Sequence, residues 1–183
     1  MLNRLFALII LLILSPLLVF ISLFILFIDG KPFIFKQQRM GAFNKPFVIY
    51  KFRTMKQGTP NVASRELSQP TSVLFFGSKY IRKMSLDELP NLINIMKGEM
   101  VFVGPRPIIL EEHDLISKRL ETGLESLKPG VTGWAQINGR DEISLERKVE
   151  LDYEYFCRKS ILFDFYIILL TIPKVLFKKD VRH

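Results

Sequence analysis

Cysteine and histidine are nearly missing from this chain of 183 residues, which holds one cysteine, Cys157, and two histidines, His113 and His183. A single thiol excludes an internal disulfide framework and the four-cysteine zinc patterns. Cys157 lies in "YEYFCRKS" with no histidine nearby to activate it, and reads as an ordinary thiol near a helix face. The two histidines are far apart in sequence and make no ligand pair. Acidic residues are scarce relative to basic ones: 18 Asp and Glu stand against 26 Lys and Arg, a formal net charge of +8. The mean hydropathy is nonetheless positive, at +0.22. Basic excess and apolar excess both raise affinity for an anionic membrane surface. Nucleic acid is the other usual partner of a basic chain. Zinc-finger spacing, an RNP-like aromatic motif and a basic helix with heptads are all lacking, so no nucleic-acid partner is expected. There is no internal repeat and no low-complexity tract, and the length suits one domain with an anchor.

What the chain has in abundance is one apolar run, "LFALIILLILSPLLVFISLFILFI", from Leu5 to Ile28. As a straight helix it would cover about 36 Å, enough for a hydrocarbon core of about 30 Å. It exceeds a signal-peptide core and no small-residue cleavage site follows it. Ser15-Pro16 interrupts it near the middle, because proline lacks an N–H and its ring crowds the carbonyl four residues back, that of Leu12. A serine hydroxyl beside the proline can serve that freed carbonyl. The helix can cross with a kink, or its two arms can dip in and return. Arg4 before the run, with Lys31, Lys36 and Arg39 after it, suits both ends on the cytoplasmic side.

Beyond this anchor, residues 1–30, the reading is of one further domain, residues 31–183. "KPFVIYKFRTM" reads as a strand carrying Lys51 and Arg53. Lys56 to Ser72 is polar and loop-like, the kind of segment that selects a ligand. A helix is expected from Ser85 to about Lys97, stopped by Gly98, with Pro90 too deep for its first turn. "VFVGPRP" reads as a short strand entering a rigid turn, and "KPGVTGWAQINGR" as irregular. "SLERKVELDYEYFCRK" reads as an amphipathic helix with Leu145, Val149, Leu151 or Asp152, and Phe156 on its inner face. About residues 161–179, interrupted by Asp164 and Pro173, fit an interfacial helix with lysines toward lipid.

The chemistry concentrates in "SLDELPNLINIMKGEMVFVGPRP". Ser85-Leu86-Asp87-Glu88 matches a capping box. The same helix start is a natural anion site, and the Asp87-Glu88 pair could hold Mg²⁺ against a pyrophosphate. Arginines supply the complementary half, since guanidinium takes phosphate oxygens in a bidentate manner. Arg106 stands out because Pro105 and Pro107 restrict the backbone on both sides. Arg53 and Arg140 rank below it.

In order along the chain, the helix with Ser15-Pro16, "YKFRTM", "SLDELPNLINIMKGEM", "VGPRP", "KPGVTGWAQINGR" and "ELDYEY" together resemble the bacterial sugar transferases, specifically the small monotopic polyprenyl-phosphate phosphoglycosyl transferases. That resemblance implies a helix-rich α/β (α+β) membrane-embedded domain with a small irregular sheet, amphipathic interfacial helices and a re-entrant helix broken at Ser15 and Pro16. It implies transfer of a sugar 1-phosphate from a UDP-sugar to undecaprenyl phosphate, releasing UMP, through an aspartyl intermediate. Asp87 would be the nucleophile, Glu88 with Asp87 would bind Mg²⁺, and Lys51, Arg53, Arg106, Pro107, Arg140 and Asp152 would form the substrate and phosphate site. Implied as well are the cytoplasmic face of the bacterial inner membrane, lipid contact and downstream glycosyltransferases as partners. A different class, a non-catalytic scaffold binding anionic lipid through its basic face, is the alternative.

Overall fold

The computed structural model describes residues 1–59, 72–139 and 143–176. Arg140 and most of the loop expected between Lys56 and Ser72 lie outside the described residues.

The apolar run forms α1, Leu2–Asp29, and the helix continues through Pro16 where a break was expected. Ser15 Oγ donates to the Leu12 carbonyl at 2.8 Å, the acceptor that Pro16 cannot reach. This local bond lets the helix continue without leaving a carbonyl orphaned in an apolar setting. Most of α1 is exposed, but Ala7, Ile21 and Ile25 are buried.

The rest is a helix-rich α+β assembly around two small sheets. Strand β1, Ile34–Met40, pairs antiparallel with β2, Pro46–Phe52, in a register running from Ile34 opposite Phe52 to Met40 opposite Pro46. On its other edge β1 takes β4, Ile108–Ile109, with Arg39 opposite Ile109. Strand β3, Val101–Val103, lies parallel to β5, Gly130–Thr132. Helices α2, Ser78–Lys83, and α3, Leu92–Lys97, flank the acidic turn. Helices α4, His113–Glu121, α5, Trp134–Ile137, α6, Leu145–Arg158, and α7, Ile161–Leu176, complete the order.

The expected helix from Ser85 is in fact two pieces, a 3₁₀ segment Leu86–Asn91 followed by α3. An α-helix running through Pro90 would lose the bond to Leu86 and crowd its carbonyl. Ser85 itself is left-handed (φ 54) and its side chain makes no cap, so the capping-box reading does not hold. Gly98 ends α3 with φ 83, the left-handed stop glycine adopts most readily. In α6, Ser144 caps by accepting from the Arg147 N–H. Its inner face carries Val149, Leu151, Asp152 and Tyr155, with Phe156 exposed rather than buried.

Three apolar clusters hold these parts together. One joins Ala7 of α1 to Phe47 and Ile49 of β2 and to Leu92, Ile95 and Met100. A second joins Ile21 and Ile25 to Phe52, Phe75 and Ile81. The third packs Tyr155 of α6 and Phe163 and Ile167 of α7 against Val103, Ile108 and Leu127. Both halves of α1 are therefore tied to the same domain.

Candidate active site

The acidic turn is presented by β2. Asn94, fully buried, donates from Nδ2 to the Val48 carbonyl at 2.6 Å and accepts the Tyr50 N–H on Oδ1 at 3.3 Å. A side-chain amide thus completes the free edge of β2 and seats the turn against it. Lys51, on the same strand, then reaches Glu88 Oε1 at 2.7 Å. Asp87 is half-buried beside Glu88. Burial first, and the Glu88 charge second, push the Asp87 carboxyl up to about 6, against the opposing pull of Lys51 and Arg82.

The second wall is the Pro105-Arg106-Pro107 turn. Each of its carbonyls is held by a different element: Gly130 N–H donates to Pro105 at 2.8 Å, Arg119 Nη1 to Arg106 at 3.1 Å and Arg39 Nη1 to Pro107 at 3.4 Å. The approach that makes the first bond needs glycine, since a Cβ at Gly130 would lie 2.1 Å from the Gly104 nitrogen. Held this way, Arg106 has a fixed backbone from which to extend its guanidinium.

Between the two walls lies a small, open cleft. Lys51, Glu88, Arg106 and Pro107 line it, so four of the residues singled out in the sequence meet there. Asp87 adjoins them on the same turn without lining the cleft itself. Arg39, Asn91 and Gln136 also line it, and none of them was expected as a site residue. Arg39 sits in a strand without a motif, and its guanidinium is pulled down to about 10, mainly by burial and then by Arg106. A guanidinium whose proton affinity is lowered by burial and by a second cation beside it marks a site short of negative charge, which an anion would relieve.

Two expected site residues do other work. Arg53, buried at 7% exposure, faces the end of α1: Nη2 donates to the carbonyls of Asp29 and Gly30 at 2.8 and 2.7 Å and pairs with the Asp29 carboxylate at 3.0 Å. A cation there satisfies the negative helix terminus. Asp152, buried on α6, lies outside the cleft, and its Oδ2 accepts from Arg119 Nη2 at 2.6 Å and Nε at 3.0 Å. Burial pushes the Asp152 carboxyl up, opposed by Arg119. It reaches the cleft at one remove, through the arginine that holds the Arg106 carbonyl.

Among the described residues, no group of three or more His, Cys, Asp or Glu could enclose a metal ion. The donors on the turn are the adjacent carboxylates of Asp87 and Glu88. That pair suits Mg²⁺, which keeps several waters and commonly binds through one or two carboxylates together with substrate phosphates.

Residues 1–178 match the family described as bacterial sugar transferase. The chain is 44% identical over 154 residues to the uncharacterized sugar transferase EpsL of Bacillus subtilis, covering 84% of this chain and 74% of that protein. It is 36% identical over 187 residues to the exopolysaccharide production protein ExoY of Sinorhizobium fredii, covering 93% and 82%. It is also 38% identical over 175 residues to the UDP-glucose:undecaprenyl-phosphate glucose-1-phosphate transferase of Escherichia coli, covering 92% of this chain but only 38% of that longer protein. With its acidic turn, its proline-held arginine and these relatives, the chain belongs to the bacterial sugar transferase family.

Proposed function

We propose that this protein transfers a sugar 1-phosphate from a UDP-sugar to undecaprenyl phosphate, releasing UMP, as an early membrane step of glycoconjugate assembly. The observation that carries the reading is the meeting of Arg39, Lys51 and Arg106 beside the Asp87-Glu88 turn. Relatives named for glucose-1-phosphate transfer in E. coli and for undecaprenyl-phosphate galactose phosphotransfer in Salmonella typhimurium support it.

In this mechanism a carboxylate oxygen of Asp87 attacks the β-phosphorus, the bond to the bridging oxygen breaks, and UMP departs. An oxygen of undecaprenyl phosphate then attacks the same phosphorus and expels the Asp87 carboxylate. The acid returns to its starting state and the product is a polyprenyl diphosphate sugar. Arg106, Arg39 and Lys51 hold the phosphates and offset charge on the leaving oxygen, the main task in phosphoryl transfer. Asp87 and Glu88 would hold Mg²⁺, which supplies further charge neutralisation. Substrate phosphates would also loosen Lys51 from Glu88, freeing that carboxylate.

The acceptor is a membrane lipid, and α1 suits a helix lying in one leaflet. Arg4 Nη2 donates to the Lys97 carbonyl at 3.3 Å near its start, while Arg53 and Gln57 hold Asp29 at its end. A helix fastened at both ends to one domain supports a monotopic arrangement, which we place at the cytoplasmic face.

The decisive experiment is Mg²⁺-dependent UMP release from a panel of UDP-sugars, with and without undecaprenyl phosphate, for wild type and Asp87→Asn. Multiple turnovers only with the acceptor, and at least about 10³-fold less in the variant, are expected. Equal rates for the two proteins would exclude the covalent mechanism, and sustained release without acceptor would indicate a hydrolase.

A further inference from the structure

Three buried polar atoms of residues that line the cleft lack a partner: Nε of Arg39, Oδ1 of Asn91 and Oε1 of Gln136. Folded proteins leave few buried polar atoms unpaired, and a cluster of them around one opening marks a surface that a ligand completes. Nε of Arg39 is a donor and suits a phosphate oxygen. The two carboxamide oxygens are acceptors, and the ionised phosphates of a nucleotide sugar offer acceptors only. These oxygens therefore require hydroxyl or N–H groups.

Their placement is fixed. Asn91 is 2% exposed, at the end of the 3₁₀ segment that carries Asp87 and Glu88. Gln136 donates from Nε2 to the Val131 carbonyl at 3.2 Å, which settles which end of its amide is free. Gly133 makes room for that free oxygen, since a Cβ there would lie 2.6 Å from it.

We infer that Asn91 and Gln136 recognise the hydroxyl or N–H donors of the nucleotide sugar while the cations hold its phosphates. The inference rests on the transferase reading and extends it from charge to specificity. Such donors come from two sources, the hexose hydroxyls or the ribose and uracil of the nucleoside. UMP carries only the second set and separates them.

The test is calorimetric titration of UDP-glucose, UDP-galactose and UMP into detergent-solubilised wild type, Asn91→Leu and Gln136→Met, with wild-type UMP release assayed on the same preparation. Both replacements keep the side-chain length and remove the unpaired oxygen. We expect UDP-sugar affinity to fall about 10- to 100-fold, with ligand-free Tm lowered in Gln136→Met by no more than the few degrees that loss of its bond to Val131 costs. A parallel loss for UMP assigns the carboxamides to the nucleoside, and an unchanged UMP affinity assigns them to the hexose. Affinities within twofold of wild type for every ligand would overturn the inference. If Asn91→Leu does not fold, Gln136→Met decides alone. Wild-type transfer with unaltered variant affinities removes this inference and leaves the transferase reading. Nucleotide-sugar binding that depends on the carboxamides, without transfer, removes the transferase reading and leaves recognition.

Discussion

As the proposed nucleophile, Asp87 is under opposing demands, because the burial that would leave its carboxylate poorly solvated also makes that charge costly to keep. With its carboxyl raised from 3.8 to about 6, UMP release should climb as pH rises through about 6 and level off above about 7, where the ionised form dominates. The linkage has the opposite sign for stability. The folded state holds a proton that the unfolded state has already released, so stability falls as pH rises from about 4 to about 6. A shift of about 2 units corresponds to about 3 kcal/mol, and solvent at this half-buried position reduces it to about 1–2 kcal/mol. Asp87→Asn should therefore raise Tm by a few degrees at pH 7.5 while abolishing transfer, and a lowered Tm would contradict the burial account. Asp152 is the contrasting acid. Removing its charge with Asp152→Asn leaves Arg119 buried without its partner, at a cost of about 3 kcal/mol. Arg106 then loses a fixed backbone, so KM for the UDP-sugar should rise in the folded fraction. In steady-state kinetics a change in Tm alone, with KM untouched, would reduce the Asp152–Arg119 pair to a structural role. The sequence made Glu88 and Arg106 legible because charge beside a second acid or between two prolines is a local signal, whereas Lys51 was reached only through the family resemblance. Arg39, Asn91, Arg119 and Gln136 carry no such signal, being a strand cation, two uncharged amides and a helix arginine whose partner is distant in sequence.

At the scale of elements, the same distinction between local and distant causes separates what could be read from what could not. The span of α1, the stop at Gly98 and a strand within residues 45–55 all follow from neighbouring residues, although that strand ends at Phe52 and leaves Arg53 just beyond it. The 3₁₀ segment was half legible, since Pro90 signalled trouble without saying how the chain would resolve it. The fate of Arg53 was hidden because its partners, Asp29 and Gly30, belong to another element. That contact bears on how α1 sits in the bilayer. Arg4 at one end and Arg53 at the other bind the helix to the same domain. In a Cys157→Ala background, cysteines placed at Asn3 and Lys31 should both react with an impermeant maleimide in inverted membrane vesicles and both resist it in intact cells. Opposite accessibility of the two positions would establish a crossing helix. Ser15→Ala, which leaves the Leu12 carbonyl without its 2.8 Å bond, should cost about 1 kcal/mol and change neither pattern.

For the whole molecule, the question is how a cleft built from charged groups meets a lipid phosphate. Apolar exposure is concentrated on α1 and α7, and α7 divides its residues cleanly. Phe163 and Ile167 are buried against the domain, while Leu162, Phe165, Leu169 and Ile172 remain exposed at a spacing that places them on one face. Lys174, in the last turn, donates to the Ile137 carbonyl instead of facing lipid as expected, so the exposed apolar face alone suits a helix lying in the headgroup layer. Under that arrangement anchoring and positioning are separable, with α1 as the anchor and α7 as the element that would set the tilt and depth of the cleft. Changing Leu162, Phe165 and Leu169 together to Gln removes apolar surface without disturbing the buried face. Such a variant should still float with anionic vesicles and bind UDP-sugar as wild type does. Its turnover on undecaprenyl phosphate embedded in those vesicles should fall at least about 10-fold, with a smaller loss on acceptor dispersed in detergent, where depth is not imposed. Equal losses in vesicles and detergent would mean that α7 supports the fold of the cleft rather than its position. Loss of flotation would mean that α1 does not anchor by itself. The net charge of +8 adds a salt dependence to the vesicle result, since attraction to anionic headgroups weakens as the Debye length shortens from about 10 Å at 0.1 M to about 3 Å at 1 M. The triple variant, having lost apolar grip on that face, should be the more salt-sensitive of the two proteins.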